Sequence, residues 1–382
     1  MRHAIQDFPA SKIRTVANAG LGRDDVLPFW FGESDEVTPE PIRQAAADSL
    51  ARGETFYSHN LGLPELRAAI AAYSSALHGP VDAGRIAVTS SGVSALMLTM
   101  QMLLDAGDEV VAVVPVWPNL TAQPAILGAR VKRVPLRPRG GAWQLDVAEL
   151  LAAVTPQTRV LLVNSPNNPT GWTLSRDEQQ ALLAHCRRTG TWIVADEVYE
   201  RIHFGGGCLA PSFLDISTPQ DRLVTVCSFS KSFLMTGWRL GWLVLPEGQM
   251  DAMGKLLEFN SSCAPVFVQR AGLAALAMAD DFVPGLVGRL RAARDRLLGG
   301  LLALPGIPVA TPEAGLYAYF RVDGEADSLA LATRLVTEHG LGLAPGAAFG
   351  DEGEGWLRWC FASRDLARLD AGLLRLRSAL RL

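Results

Sequence analysis

Val160-Leu-Leu-Val-Asn164-Ser-Pro-Asn-Asn168-Pro-Thr-Gly171 is a run of apolar residues that stops abruptly in a polar turn. Beyond it, Arg176–Arg188 carries apolar residues at helical spacing, and Trp192-Ile-Val-Ala-Asp196 is a second apolar run that ends on an acid. Strand, helix, strand, with strands apolar throughout rather than alternating, is the pattern of a parallel sheet buried on both faces. Five more runs extend it: Ile86–Thr89, Glu109–Val114, Val131–Val134, Leu223–Ser228 and Leu240–Leu245. Helical stretches such as Ala95–Leu104 and Leu145–Val154 lie between them. The expected fold class is α/β, a mostly parallel seven-stranded sheet with helices on both faces. From Asp281 the character changes to a long arginine-laced helix (Val283–Leu302), strands and turns over Pro305–Val322, a helix (Leu329–His339) and a terminal helix (Leu366–Leu380). This predicts a large domain over 41–280 and a smaller α+β domain over 281–382, to which 1–40 contributes.

The 382 residues carry a formal charge of −4, which offers no general electrostatic case for nucleic acid or an anionic membrane. The five cysteines are scattered with no CxxC, which suits a reducing compartment and argues against a disulfide framework or a zinc knuckle; no metal is expected. The first fourteen residues lack the apolar core of a secretion signal. Ile86–Leu104 is uncharged and close to the roughly 20 residues a membrane helix needs, but its polar cluster fits a strand, a turn and a helix better. A soluble, cytoplasmic protein is expected. Of the 35 basic residues only Lys12, Lys132, Lys231 and Lys255 are lysines, so any amine chemistry must come from these four.

In an open parallel sheet, ligands bind beyond the carboxyl ends of the strands. Thr89-Ser-Ser-Gly-Val-Ser-Ala-Leu96 places hydroxyls and a glycine at a helix start, where free N–H groups suit a phosphate; Ser91 or Ser94 serves equally as a plain N-cap. A serine-hydrolase elbow fails there, because Leu96 stands where GxSxG wants glycine. Asn164–Gly171 is turn chemistry that also presents amide donors. Asp196 at the end of an apolar strand carries a desolvation cost unless a cation meets it or it caps the next helix, and Tyr199 follows three residues on. Cys227-Ser-Phe-Ser-Lys231-Ser-Phe-Leu-Met-Thr-Gly-Trp-Arg239-Leu-Gly241 sets one of the four lysines just after a strand, among serines and aromatics. A lysine in such surroundings loses its proton more easily and attacks a carbonyl. An anion cradle, an acid, a phenol, an amide and a reactive amine together are what pyridoxal phosphate wants. No GxGxxG follows a strand to suggest a nicotinamide cofactor.

With these motifs in order, the chain resembles the class I/II aminotransferases, pyridoxal-phosphate enzymes of fold type I. The resemblance runs from Phe31-Gly-Glu-Ser-Asp-Glu-Val-Thr-Pro39 to Gly346-Ala-Ala-Phe-Gly350 and Trp356-Leu-Arg358. It implies that Lys231 holds the cofactor as an internal aldimine and, once displaced, shuttles a proton. Asp196 would pair with the pyridinium nitrogen, and Asn168 and Tyr199 would contact the ring hydroxyl oxygen. Ser91, Gly92, Val93, Ser228 and Arg239 would bind the phosphate, and Trp117 would stack on the ring unless it simply packs in the core. Arg358 would fork the substrate α-carboxylate, Asn168 and Gly32 would add substrate contacts, and Tyr57 would reach the phosphate of a neighbouring subunit in a homodimer. For a second, side-chain arginine only Arg270 and Arg201 offer themselves. Trp356 and Trp359 beside Arg358 lean toward a neutral or aromatic side chain. The implied reaction is ping-pong transfer of an amino group from an L-amino acid to a 2-oxo acid. The alternatives are a β-eliminating C–S lyase on the same fold and a non-catalytic effector-sensing domain. The latter is disfavoured because the family pattern begins by Phe31, which leaves no room for a winged helix.

Overall fold

The computed structural model describes residues 3–6 and 8–381; Met1, Arg2, Asp7 and Leu382 lie outside it, as do the side chains of His3, Ala4 and Cys208. Seven strands form the main sheet: β1 (Ile86–Thr89), β2 (Glu109–Val114), β3 (Arg130–Pro135), β4 (Thr158–Asn164), β5 (Trp192–Asp196), β6 (Leu223–Ser228) and β7 (Gly241–Val244). Their order is β1-β7-β6-β5-β4-β2-β3. β7 runs antiparallel to both neighbours and the other pairings are parallel. All seven expected runs are strands of this one sheet.

The absence of alternation in the sequence has its cause here. Ala87, Val110, Ala112, Leu162, Val194, Val226 and Leu243 enter one hydrophobic cluster, while Val88, Val111, Val113, Leu161, Val163, Ile193 and Trp242 enter the other. Successive side chains point to opposite faces, and both faces are roofed by helices, so both sets are apolar. Exposed charges in the sheet are confined to the edge strand β3, with Arg130 and Lys132 turned to solvent, and to Arg159 at the start of β4. The crossover from β4 to β5 is the helix Arg176–Thr189, started by a Ser175–Glu178 capping box and stopped by left-handed Gly190. The uncharged stretch from Ile86 resolves into β1, a turn and the helix Gly92–Leu103. No single helix among the described residues is long and apolar enough to cross a membrane.

A second, three-stranded antiparallel sheet comprises β8 (Tyr317–Arg321), β9 (Ala344–Pro345) and β10 (Trp356–Cys360), with β10 in the centre. The N-terminal segment joins this part of the molecule: Leu27–Pro28 pairs in parallel with Leu341–Gly342, and the helix Lys12–Gly20 packs on the helix Ser328–His339. Val266–Ala277 and Ala279–Leu302 meet at 79°, so Asp281, where the sequence changes character, sits in the first turn of the second helix.

Candidate active site

Register in the main sheet brings the polar strand ends to one edge. Asn164 pairs with Asp196 across β4 and β5, and Gly241 pairs with both Ser228 and Thr89. Above this edge lies a cavity of about 400 Å³. Lys231, Asp196, Tyr199, Asn168, Ser228, Arg239, Gly92, Val93, Trp117, Gly32 and Arg358 all line it. Two expected contributors do not. The Ser91 hydroxyl is turned back to accept from Ser94 N (3.1 Å), the capping alternative for that residue. Tyr57 is 87% exposed and outside the cavity.

Lys231 is the last-turn residue of the short helix Phe229–Ser232 that follows β6. Its Nζ donates to Gly32 O (2.6 Å) and lies 5.6 Å from the Tyr199 ring centre. Burial lowers its pKa from the usual lysine value to about 8, with Arg358 and Arg239 adding repulsion and Cys360 and Glu33 opposing. Asp196 is almost fully buried, and the hydrogen bond to its carboxylate is a long one from Val198 N (3.4 Å). Burial pushes its pKa up to about 7 against the pull of that bond and of Lys231. A buried acid so short of donors suits a cationic ring nitrogen, which would satisfy it and return it to its charged form.

The turn after Asp196 is clamped from behind. Glu197 accepts from Ser212 Oγ (2.5 Å) and Phe213 N (3.0 Å), while Glu200 and Asp215 hold the two ring nitrogens of His78 at 3.0 and 2.8 Å. Burial opposes charge on His78, but its bonds to Asp215 and Glu200 outweigh it and push its pKa up to about 10. The imidazolium thus ties the helix Pro64–His78 to the turn that carries Asp196 and Tyr199. Asn164 performs a similar task in front: its Nδ2 donates to Asp196 O and its Oδ1 accepts from Asn168 N.

The anion cradle is tightly built. Ser91 occupies the first two capped amides of the helix, those of Ser94 and Ala95, which leaves the lining residues Gly92 and Val93 to turn their amides to a ligand. Ser91 (φ 115°) and Arg239 (φ 56°) both adopt backbone conformations unfavourable for side-chain-bearing residues. Gly241 is required by crowding: a Cβ there would stand 2.6 Å from Gly92 N and 2.9 Å from Cys227 O, both backbone atoms. Gly241→Ala is therefore expected to cost about 1–3 kcal/mol of stability and to displace the Gly92 amide. Thermal unfolding together with equilibrium dialysis of pyridoxal phosphate measures both effects. Unchanged retention of the cofactor would show that the cradle does not depend on this close approach.

Across the cavity, Arg358 occupies the central strand β10 and is buried. Its guanidinium donates to Asn168 Oδ1 (2.9 Å) and Trp30 O (2.5 Å), and it lies over the rings of Tyr317 (4.3 Å) and Phe349 (4.8 Å). Arg358 Nε is buried without a partner, which suits an incoming carboxylate. Tyr317, which no sequence motif singles out, lines the cavity and shares a 2.7 Å hydrogen bond with the Tyr199 hydroxyl. Gly32 must be a glycine, since a Cβ would fall 1.9 Å from the Tyr317 hydroxyl. Arg270 and Arg201 lie elsewhere: the first pairs with Glu54 and Glu65, the second donates to the Tyr73 hydroxyl.

The model of the family described as aminotransferase class I and II matches residues 25–376. An aspartate aminotransferase of Musicola paradisiaca is 35% identical over 88% of this chain and 85% of its own length. An arginine–pyruvate transaminase of Pseudomonas aeruginosa is 34% identical over 90% and 87%. Among solved structures, aspartate aminotransferase from Thermus thermophilus with maleate superposes with a TM-score of 0.91 at 31% identity, covering 99% of both chains. The buried acid, the depressed lysine and the amide cradle fit the cofactor those enzymes share, and the chain belongs to the pyridoxal-phosphate-dependent aminotransferases of class I and II.

Proposed function

We propose that this aminotransferase moves the amino group of an L-amino acid to a 2-oxo acid in two separate half-reactions at the cavity above the carboxyl edge of the main sheet. The observation that carries this is the convergence of Lys231, Asp196 and Arg358 on that one cavity. Pyridoxal phosphate, when bound, supplies an aldehyde that condenses with amines and a ring that withdraws electrons from the substrate Cα. Lys231 Nζ anchors it and, when free, takes and returns the Cα proton. Asp196 keeps the ring nitrogen protonated. Asn168 and Tyr199 hold the ring oxygen, with Tyr317 orienting the Tyr199 hydroxyl. The amides of Gly92 and Val93, with Ser228 and Arg239, bind the phosphate, and Trp117 covers one ring face. Arg358 binds the α-carboxylate.

A homodimer in the cytoplasm is part of the same proposal. Phe56 (83% exposed), Tyr57 and Phe259 (91% exposed) are large exposed side chains on two segments joined by the bond from Ser58 N to Cys263 Sγ (3.4 Å). Such side chains suit burial against a second copy, from which Tyr57 would reach the partner's phosphate.

Initial rates at several fixed oxo-acid concentrations test the two-step order: parallel double-reciprocal lines are expected, and intersecting lines would overturn it. The lowered pKa of Lys231 makes a further expectation. The neutral amine is the nucleophile, so its fraction rises with pH. At pH 7.5 a pKa of about 8 leaves about a quarter of the amine neutral, against about one part in a thousand for an ordinary lysine. Capture of pyridoxal phosphate by the apoprotein, followed by stopped-flow absorbance, should accelerate up to about pH 8 and then level off. Acceleration continuing to pH 10 would show an unperturbed amine.

A further inference from the structure

Four cations line the cavity: Lys231, Arg239, Arg358 and Arg14. The first three are held, Lys231 by Gly32 O, Arg239 by Thr236 O (2.5 Å) and Arg358 by Asn168 and Trp30. The Arg14 guanidinium has no hydrogen bond or ion pair among the described residues and rests 4.7 Å from the Phe31 ring centre. One three-residue stretch thus meets three cations: Trp30 O takes Arg358, the Phe31 ring takes Arg14, and Gly32 O takes Lys231. Arg14 stands in the first turn of the helix Lys12–Gly20, where Ser11 Oγ accepts from its backbone N (3.3 Å) and fixes the turn. The lining contains a single carboxylate, that of Asp196. Glu33, next on the same stretch, is not among the lining residues and accepts from Thr236 Oγ1 (3.1 Å).

We propose that Arg14 is the specificity-determining residue that takes the side-chain carboxylate of a dicarboxylic amino donor. The inference rests on the aminotransferase reading, with Arg358 on the α-carboxylate. A substrate held at one end by Arg358 and passing Lys231 presents its other end to the one lining cation still free. That cation is planar and forked, matched to a carboxylate, and its stacking on Phe31 restricts it beforehand. A guanidinium or ammonium side chain would meet Arg14 as a like charge with no lining acid to receive it. An aromatic side chain would leave Arg14 with no anionic partner.

The test compares the loaded wild type with Arg14→Ala and Arg14→Glu in single-turnover amino transfer from L-glutamate, L-aspartate, L-alanine and L-phenylalanine. Spectral titration with glutarate and butyrate, which bear no amino group, adds a readout independent of turnover. For Arg14→Ala the second-order rate constant with glutamate or aspartate should fall about 10–100-fold, and the preference for glutarate over butyrate should disappear. Arg14→Glu should lower both further. The loss should be confined to the dicarboxylic ligands. An equal loss on all four donors, or none on glutamate and aspartate, would overturn the assignment. No transfer from any donor by the wild type would instead overturn the aminotransferase reading beneath it.

Discussion

Lys231→Ala is expected to lower amino transfer by at least ~10⁴-fold, because no other amine can take its place. Lys12 Nζ donates to Ala347 O, Lys132 Nζ donates to Ala153 O, and Lys255 pairs with Asp251; none of the three lines the cavity. With 31 of the 35 basic residues present as arginine, the remaining positive charge is of the wrong kind, since a guanidinium does not give up its proton at neutral pH. The fold should survive. Removing the side chain leaves Gly32 O without its donor but also removes a buried amine whose lowered pKa reports the strain of desolvation. Three measurements define the outcome: turnover, unfolding temperature, and the peptide labelled after borohydride reduction of the loaded protein. Loss of turnover and label with an unfolding temperature close to wild type is expected. Retained turnover, or a label on another lysine, would remove Lys231 from its role.

Asp196→Asn should lower turnover by about 10²–10³-fold, the scale of removing one partner from a buried charge pair. The amide has nearly the same shape but carries no charge to hold a proton on a ring nitrogen. The apoprotein should respond in the opposite direction. The folded pKa of Asp196, about 7, lies above its unfolded value of 3.8. The folded state therefore keeps a proton that the unfolded chain has already released, and the stability of the wild type falls as pH rises from about 4 through 7. Asn removes that penalty. The variant apoprotein should be more stable than wild type at pH 8 and equal to it near pH 4, while turnover at pH 8 collapses. A variant less stable at pH 8 would mean that the acid is already satisfied within the protein.

Much of this could be read in the chain before any coordinates. The seven strands were legible because a parallel sheet covered on both faces leaves unbroken apolar runs such as Leu223–Ser228, and because polar residues at the ends of such runs mark the ligand edge. Lys231 stood out since lysine is so scarce here. Tyr317 was not legible: it lies in a strand whose apolar neighbours look like ordinary core, and it reaches Tyr199 only through the packing of one sheet on the other. Arg14 was hidden for the same reason, one arginine among many, brought to the cavity by a helix that packs on residues more than 300 positions away. His78 likewise gains its meaning from Glu200 and Asp215, which no local pattern links to it.

The bond between Arg358 and Asn168 joins the proposed carboxylate anchor to the proposed neighbour of the cofactor ring oxygen. An acid docking on Arg358 must share or loosen that bond, and a change in the proton count at the ring oxygen must strengthen or weaken it. Linkage makes such influences mutual. The tint of the loaded enzyme and its appetite for acids are then two readings of a single balance, and a harmless acid that never reacts will tip it as surely as a true substrate.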